Sequence, residues 1–457
     1  MSSETFVQRT RIPAPAATVF DWHMRPGAFE RLSPPWERVS VLASPGAISE
    51  GARVVLRVGL GPFGIRWTAV HRDIVPGRQF CDEQVEGPFA RWHHTHTMEP
   101  DGPDACFLED RIEYRLPLGV LGQLVGSAAT RAKLRRMFDY RHATVAADLA
   151  AHAPWSEGSL HVAVTGSRGL VGSGLVPFLT TGGHRVTRLV RGRPADPSEV
   201  GWSAEGGIAE PARLEGVDAI VHLAGENIAA GRWTEARKAE IRRSRVEGTR
   251  RLAEQVARLR HPPRTLVCAS AVGYYGHRGP EILTDASPPG RGFLADVCRE
   301  WEAAAEPARQ AGIRVVHMRL GVVLTPAGGA LKKMLLPFRL GLGGRIGSGE
   351  QFLSWISLDD AVGAFAHALH MPAMTGAVNT VSPAPVPNKE FTRLLARTLQ
   401  RPALFPLPAA VARLALGEMA DALLLASTRA VPTRLLTTGY RYRHTNLEDA
   451  LRHLLGR

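Results

Sequence analysis

Cysteine and long apolar runs are both scarce in this sequence of 457 residues. The four cysteines, at positions 81, 106, 268 and 298, have no metal-ligand spacing, and residue 268 lies in an apolar run typical of a reduced core thiol. No apolar run reaches the roughly 18 residues of a membrane-spanning helix, and the first eleven residues contain no apolar signal core. We therefore expect no membrane span and a cytoplasmic location.

Lysine is the second scarce residue type, since only five of the 56 basic residues are lysines. The formal net charge of +13 is therefore carried by arginines, which are spread along the chain without a long basic run. Nucleic-acid binding favours a clustered basic patch, so we expect no nucleic-acid partner. The net charge favours anionic substrates or acidic partners. The length and the ordinary composition predict two or three globular domains.

Residues 160–174 contain the most informative pattern of the chain. An apolar run of strand length is followed by three glycines at intervals of three residues and then by an apolar run of helical period. A strand, a glycine turn and a helix in this order predict a dinucleotide site, because glycine lets a pyrophosphate approach the backbone and a helix N-terminus attracts phosphate. A glycine-rich turn without a ligand is the alternative. The residues that we expect at the cofactor are Gly166, Ser167, Gly169, Leu170, Val171 and Gly172.

The end of the second predicted strand, residues 184–190, indicates which cofactor binds. Arg188 and Arg191 lie there, whereas an NAD-preferring site has an acidic residue for the ribose 2′-hydroxyl. The sequence offers no acid at this position, since Asp196 lies beyond Pro194. Arginines suit a 2′-phosphate, so we predict NADP rather than NAD, with solvent-facing loop arginines as the alternative.

Further motifs connect the rest of the chain to a known family. The glycine spacing is similar to that of extended short-chain dehydrogenases. Residues 222–228 (HLAGENI), 270–276 (SAVGYYG), 319–324 (RLGVVL) and 354–356 (SWI) resemble, in the right order, an atypical epimerase-like NAD(P)-binding family. The resemblance implies an α/β Rossmann domain with a doubly wound parallel sheet over residues 160–400. It also implies the small C-terminal domain of that family over residues 401–457.

The same resemblance implies site residues outside the glycine turn. The segment after the strand at 217–223 lies along the cofactor in the family, which here indicates Leu223, Ala224, Gly225 and Asn227. A serine or threonine at the end of the strand at 265–269 binds the reacting oxygen, and Ser270 holds that position, with a strand-end turn serine as the alternative. Trp355 is implied near the substrate.

The Tyr-x-x-x-Lys pair of the usual dehydrogenases is missing. None of the six tyrosines is followed by a lysine four residues later. If the expected helix is aligned on Glu302, Leu294 and Cys298 stand at the tyrosine and lysine positions. Neither can do that work, because leucine does not ionise and a cysteine thiol, with an ordinary pKa of about 8.5, never carries the positive charge of a lysine. The possible substitutes are Tyr274, Tyr275, Asp296 and Cys298, and we expect the two tyrosines to join Ser270 in catalysis.

Two hypotheses about function remain open at this point. The first is an NADP-dependent oxidoreductase or epimerase that acts on an unidentified small molecule. The second is a catalytically silent nucleotide-sensing or ligand-binding protein, which the missing dyad favours. The retained glycines, arginines and Ser270 agree with both hypotheses.

The pattern along residues 1–150 predicts a separate α+β domain, similar to a START-like ligand-binding domain. A strand at 6–12, short helices within 14–32, a series of strands up to residue 115 and a long helix at 121–150 follow one another. This order resembles the helix-grip fold of START-like, polyketide-cyclase-like proteins, as do the segments at 34–36 and 87–92. The resemblance implies a cavity between the sheet and the long helix and a small hydrophobic ligand. Residues 151–159 form a polar linker to the next domain.

His94 and His96 are predicted to share one face of a strand. The sequence offers no third metal ligand nearby, so we expect a polar cavity wall or rim and no metal. Asp110, on a later predicted strand, is expected on a solvated or paired face.

Overall fold

A computed structural model describes residues 3–44, 46, 48–59, 64–117, 119–155 and 158–457, with the backbone alone for 119–125. The chain divides into two units. The first comprises residues 1–157, 180–183 and 453–457, and the second comprises residues 158–179 and 184–452. Two expectations concern residues outside the described ones: the turn that the Gly-Pro pair at 61–62 predicts between two strands, and positions 156 and 157 of the predicted linker. The predicted domain boundaries stay predictions.

The first unit is built on an antiparallel sheet that packs against a long helix. Its described strands run in the order β1-β7-β6-β5-β4-β3-β2. The strands are β1 (Glu4–Ile12), β2 (Val39–Ala43), β3 (Arg53–Val58), β4 (Ile65–Val75), β5 (Gln79–Glu86), β6 (Arg91–Pro100) and β7 (Cys106–Arg115). The helices are α1 (Ala16–Met24), α2 (Ala28–Leu32) and α3 (Gly119–His152), followed by a single turn at Ala153–Trp155. The helix-grip prediction is confirmed.

Alternation along the strands determines which side chains reach the interior of this unit. Buried and half-buried residues alternate along β6, so that Trp92, His94, His96 and Met98 face inward. His94 and His96 are only 3% and 5% exposed, and Asp110 of β7 is 3% exposed. Asp110 was expected on a solvated or paired face, and the structure shows the paired alternative: the alternation of β7 turns its carboxylate inward, where it contacts His94, His96 and His142. The two histidines lie in the interior rather than at a rim.

The second unit contains a predominantly parallel sheet with the order β11-β10-β9-β8-β12-β13-β15-β19. The central strands β8 and β12 are runs of buried residues, as expected for strands covered on both faces. The strands of this unit are β8 (His161–Thr165), β9 (Arg185–Val190), β10 (Glu199–Ser203), β11 (Gly207–Ile208), β12 (Ala219–His222), β13 (Thr265–Ala271), β14 (Ile282–Leu283), β15 (Arg314–Leu320), β16 (Val322–Leu324), β17 (Phe352–Leu353), β18 (Trp355–Ser357), β19 (Gly376–Thr380), β20 (Val386–Pro387) and β21 (Arg429–Ala430).

The later helices begin with α4 (Gly172–Thr181), directly after the glycine turn. The others are α5 (Glu235–Ala257), α6 (Phe293–Ala303), α7 (Glu306–Gln310), α8 (Gly329–Arg339), α9 (Leu358–His370), α10 (Asn388–Leu399), α11 (Ala409–Leu416), α12 (Glu418–Ala420), α13 (Thr433–Thr437) and α14 (Leu447–Leu455). Single turns occur at Pro211–Leu214, Val272–Tyr275 and Asp421–Leu425. Within the described ranges, no helix is long and apolar enough to cross a membrane.

The order of the parallel strands explains where a ligand can bind in the second unit. The chain passes from β8 outward to β9 and β10, and then returns to place β12 on the other side of β8. Ligands of doubly wound sheets bind at the carboxyl ends of the strands at such a switch point. The glycine turn follows β8 and the segment 223–227 follows β12, so both predicted cofactor segments lie at this point. The Rossmann prediction is confirmed.

A buried ion pair joins two helices of the first unit and gives a stability prediction. Two guanidinium nitrogens of Arg31 donate to the two carboxylate oxygens of Asp148 at 2.8 Å, and the two side chains are 5% and 0% exposed. The Arg31→Met variant removes both of these hydrogen bonds and the positive charge beside the buried carboxylate of Asp148. We expect the free energy of unfolding to fall by about 3 kcal/mol or more in urea denaturation.

The matched control for this prediction is Arg72→Met. Arg72 pairs with Glu83 at 2.9 Å, but both side chains are about half exposed. This variant should change the free energy of unfolding by less than about 1 kcal/mol. Equal effects of the two substitutions would contradict the assignment of the stability to burial.

Candidate functional site

The glycine turn between β8 and α4 packs too closely for side chains. Gly166 has a φ of +64°, and a Cβ there would lie 2.9 Å from the carbonyl carbon of Leu223. A Cβ at Gly172 would clash with the carbonyl oxygen of Gly166. The amide of Gly169 donates to that same carbonyl at 2.8 Å. The turn therefore presents bare backbone next to the start of α4, where the amides of Ser173 and Leu175 already donate to the turn carbonyls of Gly169 and Val171 and the positive end of the helix dipole faces the turn.

Thr165 connects the turn to the segment that follows β12. Its hydroxyl accepts hydrogen bonds from the amides of Leu223 and Ala224 at 3.1 and 3.2 Å. The same hydroxyl lies 2.8 Å from His222 Nδ1, and burial lowers the pKa of His222 to about 4. The imidazole is therefore neutral at neutral pH, and its Nε2 lies 3.0 Å from the hydroxyl of Thr249. This network holds the two predicted cofactor segments against each other.

Sequence reasoning gave no role to Thr165 or His222. The available signal was their position, since each ends a buried strand that leads into a predicted cofactor segment. The sequence analysis also assigned no role to Arg245. Its guanidinium carbon lies 3.2 Å from the position that a Cβ atom would occupy if residue 225 were not a glycine. Gly225 thus allows an arginine of α5 to pack against the backbone of the segment 223–227.

The arginines at the end of β9 have acidic partners that the sequence pattern did not reveal. Arg188 donates to Asp196 at 2.8 Å, and its guanidinium is 3.4 Å from Glu199. Glu199 is 1% exposed and lies opposite Arg188 in the parallel pairing of β9 with β10. The expectation of no acid at this strand end is therefore wrong, because the neighbouring strand supplies one. Arg168, from within the glycine turn, also donates to Glu199 at 3.0 Å.

The two guanidinium groups remain partly open to solvent. The Arg168 side chain is 71% exposed and that of Arg188 is 33% exposed, whereas the Glu199 carboxylate between them is buried. The amide of Ala195 donates a further hydrogen bond to Glu199 at 2.8 Å. Arg191 is 78% exposed and pairs with Glu226 at 3.0 Å. The edge near the end of β9 thus presents three arginine side chains, of which Arg168 and Arg191 are exposed and Arg188 is half-buried.

Ser270 is the second-last residue of β13, which extends to Ala271, and its hydroxyl is engaged. It is 2% exposed and donates to Glu302 Oε1 at 2.7 Å. Arg319 of β15 donates to both oxygens of Glu302, each at 2.8 Å. Although burial alone would lower it, Glu302 raises the pKa of Arg319 above its ordinary value. The serine, the carboxylate and the guanidinium form one linked network at the ends of β13 and β15.

The two tyrosines after Ser270 both contact Arg319 of this network. Tyr275 is fully buried, and its hydroxyl lies 2.6 Å from Asn379 Oδ1 and accepts from Arg319 at 2.9 Å. Burial raises the pKa of Tyr275. Tyr274 is half-buried, with the Arg319 guanidinium carbon 3.5 Å from the centre of its ring. Among the three predicted catalytic residues, Tyr274 is the one that exposes a substantial surface.

Helix α6 forms where the missing dyad would lie. Cys298, at the lysine position, is buried, and burial next to Glu302 raises the pKa of its thiol to about 12. The thiol is therefore neutral at neutral pH and supplies no cation. Trp355, predicted near the substrate, is fully buried, and its indole donates to the carbonyl of Ala384 at 2.9 Å. It presents no exposed surface to a ligand.

Three family models match separate parts of the chain. Residues 162–381 match the NAD dependent epimerase/dehydratase family. Residues 12–138 match the family described as polyketide cyclase / dehydrase and lipid transport. Residues 407–454 match a domain of unknown function, DUF1731.

Relatives and solved structures agree with these matches. An epimerase family protein of Mycobacterium bovis is 45% identical over 290 residues, which are 64% of this chain and 96% of the relative. The crystal structure of human epimerase family protein SDR39U1 (isoform 2) with NADPH is 37% identical, with a TM-score of 0.61, over 65% of this chain and 99% of that one. The nucleoside-diphosphate sugar epimerase from Corynebacterium glutamicum is 34% identical, with a TM-score of 0.82, over 99% of this chain and 90% of that one. The chain therefore belongs to the NAD(P)-binding epimerase family, with a polyketide-cyclase-like domain before the epimerase domain and the DUF1731 domain after it.

Proposed function

We propose that the second unit binds NADP(H) and acts as an epimerase or oxidoreductase on a small molecule. The observation that carries this proposal is the position of Arg168 and Arg188, which leave the glycine turn and the adjacent strand at the same edge. The NADPH in the structure of the human relative supports the same cofactor. We also retain as proposals the domain boundaries at residues 150, 160 and 400, and the cytoplasmic location suggested by four free, buried thiols.

The chain's own groups suit the parts of this cofactor. The bare backbone of the glycine turn and the start of α4 would hold the pyrophosphate. Arg168, Arg188 and Arg191 would hold the 2′-phosphate, since guanidinium groups bind phosphate through paired hydrogen bonds. The segment 223–227, fixed by Thr165, would lie along the adenosine side. When bound, the nicotinamide supplies or accepts the hydride.

We assign different roles to the three predicted catalytic residues. Tyr274 is the proposed acid or base, because it is half-exposed and lies against the Arg319 cation. Ser270 is proposed to orient the reacting end of the substrate indirectly, through its hydrogen bond to Glu302. Tyr275 is a positioning residue, because its hydroxyl is enclosed by protein groups. Without the lysine of the usual dyad, we expect slow turnover at neutral pH.

The second candidate function is a nucleotide sensor without catalysis. The observation that favours it is the neutral, buried thiol of Cys298 at the position where a dehydrogenase has its lysine. Both functions share the cofactor site, so they differ in turnover and not in NADPH binding.

We further propose that the first unit binds a small hydrophobic molecule. The match to a family described by polyketide cyclisation and lipid transport supports this proposal. Apolar clusters lie on both sides of the polar centre of the sheet, one around Phe138 and the other around Trp22. Fluorescence of a hydrophobic dye added to the full chain, and displacement of that dye by candidate ligands, tests the proposal.

The choice of cofactor gives the first functional prediction. NADPH should bind the wild-type chain at least about tenfold more tightly than NADH, which corresponds to about 1.4 kcal/mol. The Arg188→Ala/Arg191→Ala double variant should lose this preference while it keeps its NADH affinity. Isothermal titration calorimetry measures both constants. Arg185→Ala, at the opposite end of the same strand, is the control and should keep the preference.

Equal affinities for NADPH and NADH in the wild-type chain would contradict the assignment of a 2′-phosphate site. Equal losses in the double variant and in Arg185→Ala would show that the loss reflects damage to the strand rather than removal of phosphate contacts.

The assignment of the tyrosines gives a second functional prediction. Tyr274→Phe should lower turnover by about 100-fold or more, as expected for removal of a general acid, while the NADPH affinity stays unchanged. Ser270→Ala should also lower turnover much more than it weakens NADPH binding. Turnover is screened as NADPH oxidation with aldehydes, ketones and quinones, and as epimerisation of nucleoside-diphosphate sugars.

Tyr275→Phe is the matched comparison for Tyr274→Phe. It removes a buried hydroxyl with several partners, so we expect a loss of about 1–3 kcal/mol in unfolding free energy. Fast turnover that survives replacement of both tyrosines and Ser270 would exclude these residues as the catalytic groups. No turnover across the panel, together with tight NADPH binding, would favour the sensor.

A further inference from the structure

The interior of the first unit holds a compact group of histidines and carboxylates that the proposed function does not use. The strand register brings His71, Asp82 and His94 side by side across β4, β5 and β6. On the next row, His96 of β6 lies directly opposite Asp110 of β7. Because side chains two residues apart share a face, His94 and His96 point toward the same interior.

The carboxylate of Asp110 contacts one ring nitrogen of His94 and one of His96. Its Oδ1 lies 2.8 Å from His94 Nε2 and 2.7 Å from His96 Nδ1. Its Oδ2 lies 2.5 Å from Nε2 of His142, which comes from α3. A metal-ligating histidine usually donates a hydrogen bond from its other ring nitrogen to a carboxylate. This hydrogen bond fixes the orientation of the ring and increases the basicity of the nitrogen that binds the metal.

In both rings, the nitrogen that Asp110 does not contact lies near Asp82. His96 Nε2 is 3.2 Å from Asp82 Oδ2, and His94 Nδ1 is 3.9 Å from the same oxygen. One ligand atom from each of the three residues lies within 4.8 Å of the others. Ligand atoms around a tetrahedral zinc ion are separated by roughly 3.3 Å. Small rotations of these side chains would reach that geometry.

Hydrogen bonds alone do not satisfy this group. His71 Nδ1 lies 2.6 Å from Asp82 Oδ1, but these two buried atoms are not aligned as a hydrogen bond. His71 is 8% exposed, and its ring nitrogen faces the carboxylate that the other two histidines approach. A misaligned contact between buried polar atoms compensates poorly for their lost hydration, and coordination of a cation by the carboxylate would offset that cost.

We propose that Asp82, His94 and His96 bind a divalent transition-metal cation of the zinc type, with Asp110 as the supporting carboxylate. Two imidazoles and one carboxylate are a ligand set that zinc and iron(II) accept. Three protein ligands leave a coordination position for water or for an oxygen atom of a ligand bound in this unit. This site is separate from the NADP(H) site, and its test does not depend on turnover.

The structure explains why the sequence predicted no metal here. His94 and His96 were visible as a pair, but Asp82 lies twelve residues before His94 on another strand. Only the pairing of β5 with β6 places it opposite His94.

Cobalt(II) titration of the full chain, stripped with a chelator, tests the proposal. We expect one cobalt ion per chain, with visible d–d absorption that zinc removes by displacement. His94→Gln, His96→Gln and Asp82→Asn should each lower the affinity at least 100-fold. His93→Gln is the matched control, because His93 lies on the same strand with its side chain on the other face, and it should bind as the wild type does.

Asp110→Asn tests the supporting carboxylate. It should weaken cobalt and zinc binding by about 10- to 100-fold without abolishing it. A merely structural role of Asp110 would lower the midpoint of thermal unfolding and leave the affinity of the folded protein unchanged.

A measurement on the wild-type chain covers the case in which a ligand variant does not fold. Zinc should raise the midpoint of thermal unfolding of the wild-type and His93→Gln proteins, and a chelator should reverse the rise. No zinc-dependent rise in the wild-type protein would overturn the proposal and leave a proton-stabilised network of histidines and aspartates. Stoichiometric cobalt binding that persists in a folded Asp82→Asn variant would also overturn it.

Discussion

The close contact between the glycine turn and the segment after β12 is the constraint on which the second unit depends. There is no space for side chains at positions 166 and 172, which are glycines. The hydroxyl of Thr165 accepts hydrogen bonds from the amides of Leu223 and Ala224. A neutral, buried His222 completes this contact because burial keeps its pKa low. The backbone that is proposed to receive the pyrophosphate is therefore fixed before any ligand binds, which lowers the entropy lost on binding.

The two units use polar side chains in different ways. In the second unit they lie at the carboxyl ends of strands, where Ser270, Glu302 and Arg319 link β13, α6 and β15. In the first unit they lie in the interior, where the strand register gathers histidines around two aspartates. A carboxylate surrounded by donors organises each group: Glu302 in the second unit and Asp110 in the first.

Local signals made part of this structure predictable. The apolar run, the glycine spacing and the helical period at residues 160–174 are contiguous, so the sequence alone predicts strand, turn and helix there. Partners far apart in sequence were not predictable. Glu199 reaches Arg188 through the pairing of β9 with β10, and Asp110 is turned inward by the alternation of β7. The burial of Tyr275 and Trp355 likewise depends on packing by distant segments, which no spacing within their own motifs reveals.

The central claim is that the bare backbone of the glycine turn forms the NADP(H) site, and calorimetric titration of NADPH into a Gly172→Ala variant tests it most directly. A methyl group there would clash with the carbonyl oxygen of Gly166, whereas one at Gly158 would meet nothing within 4 Å. The account predicts that Gly172→Ala, while still folded by circular dichroism, binds NADPH at least about tenfold more weakly, and that Gly158→Ala binds as the wild type does. Unchanged NADPH affinity in a folded Gly172→Ala protein would contradict the account.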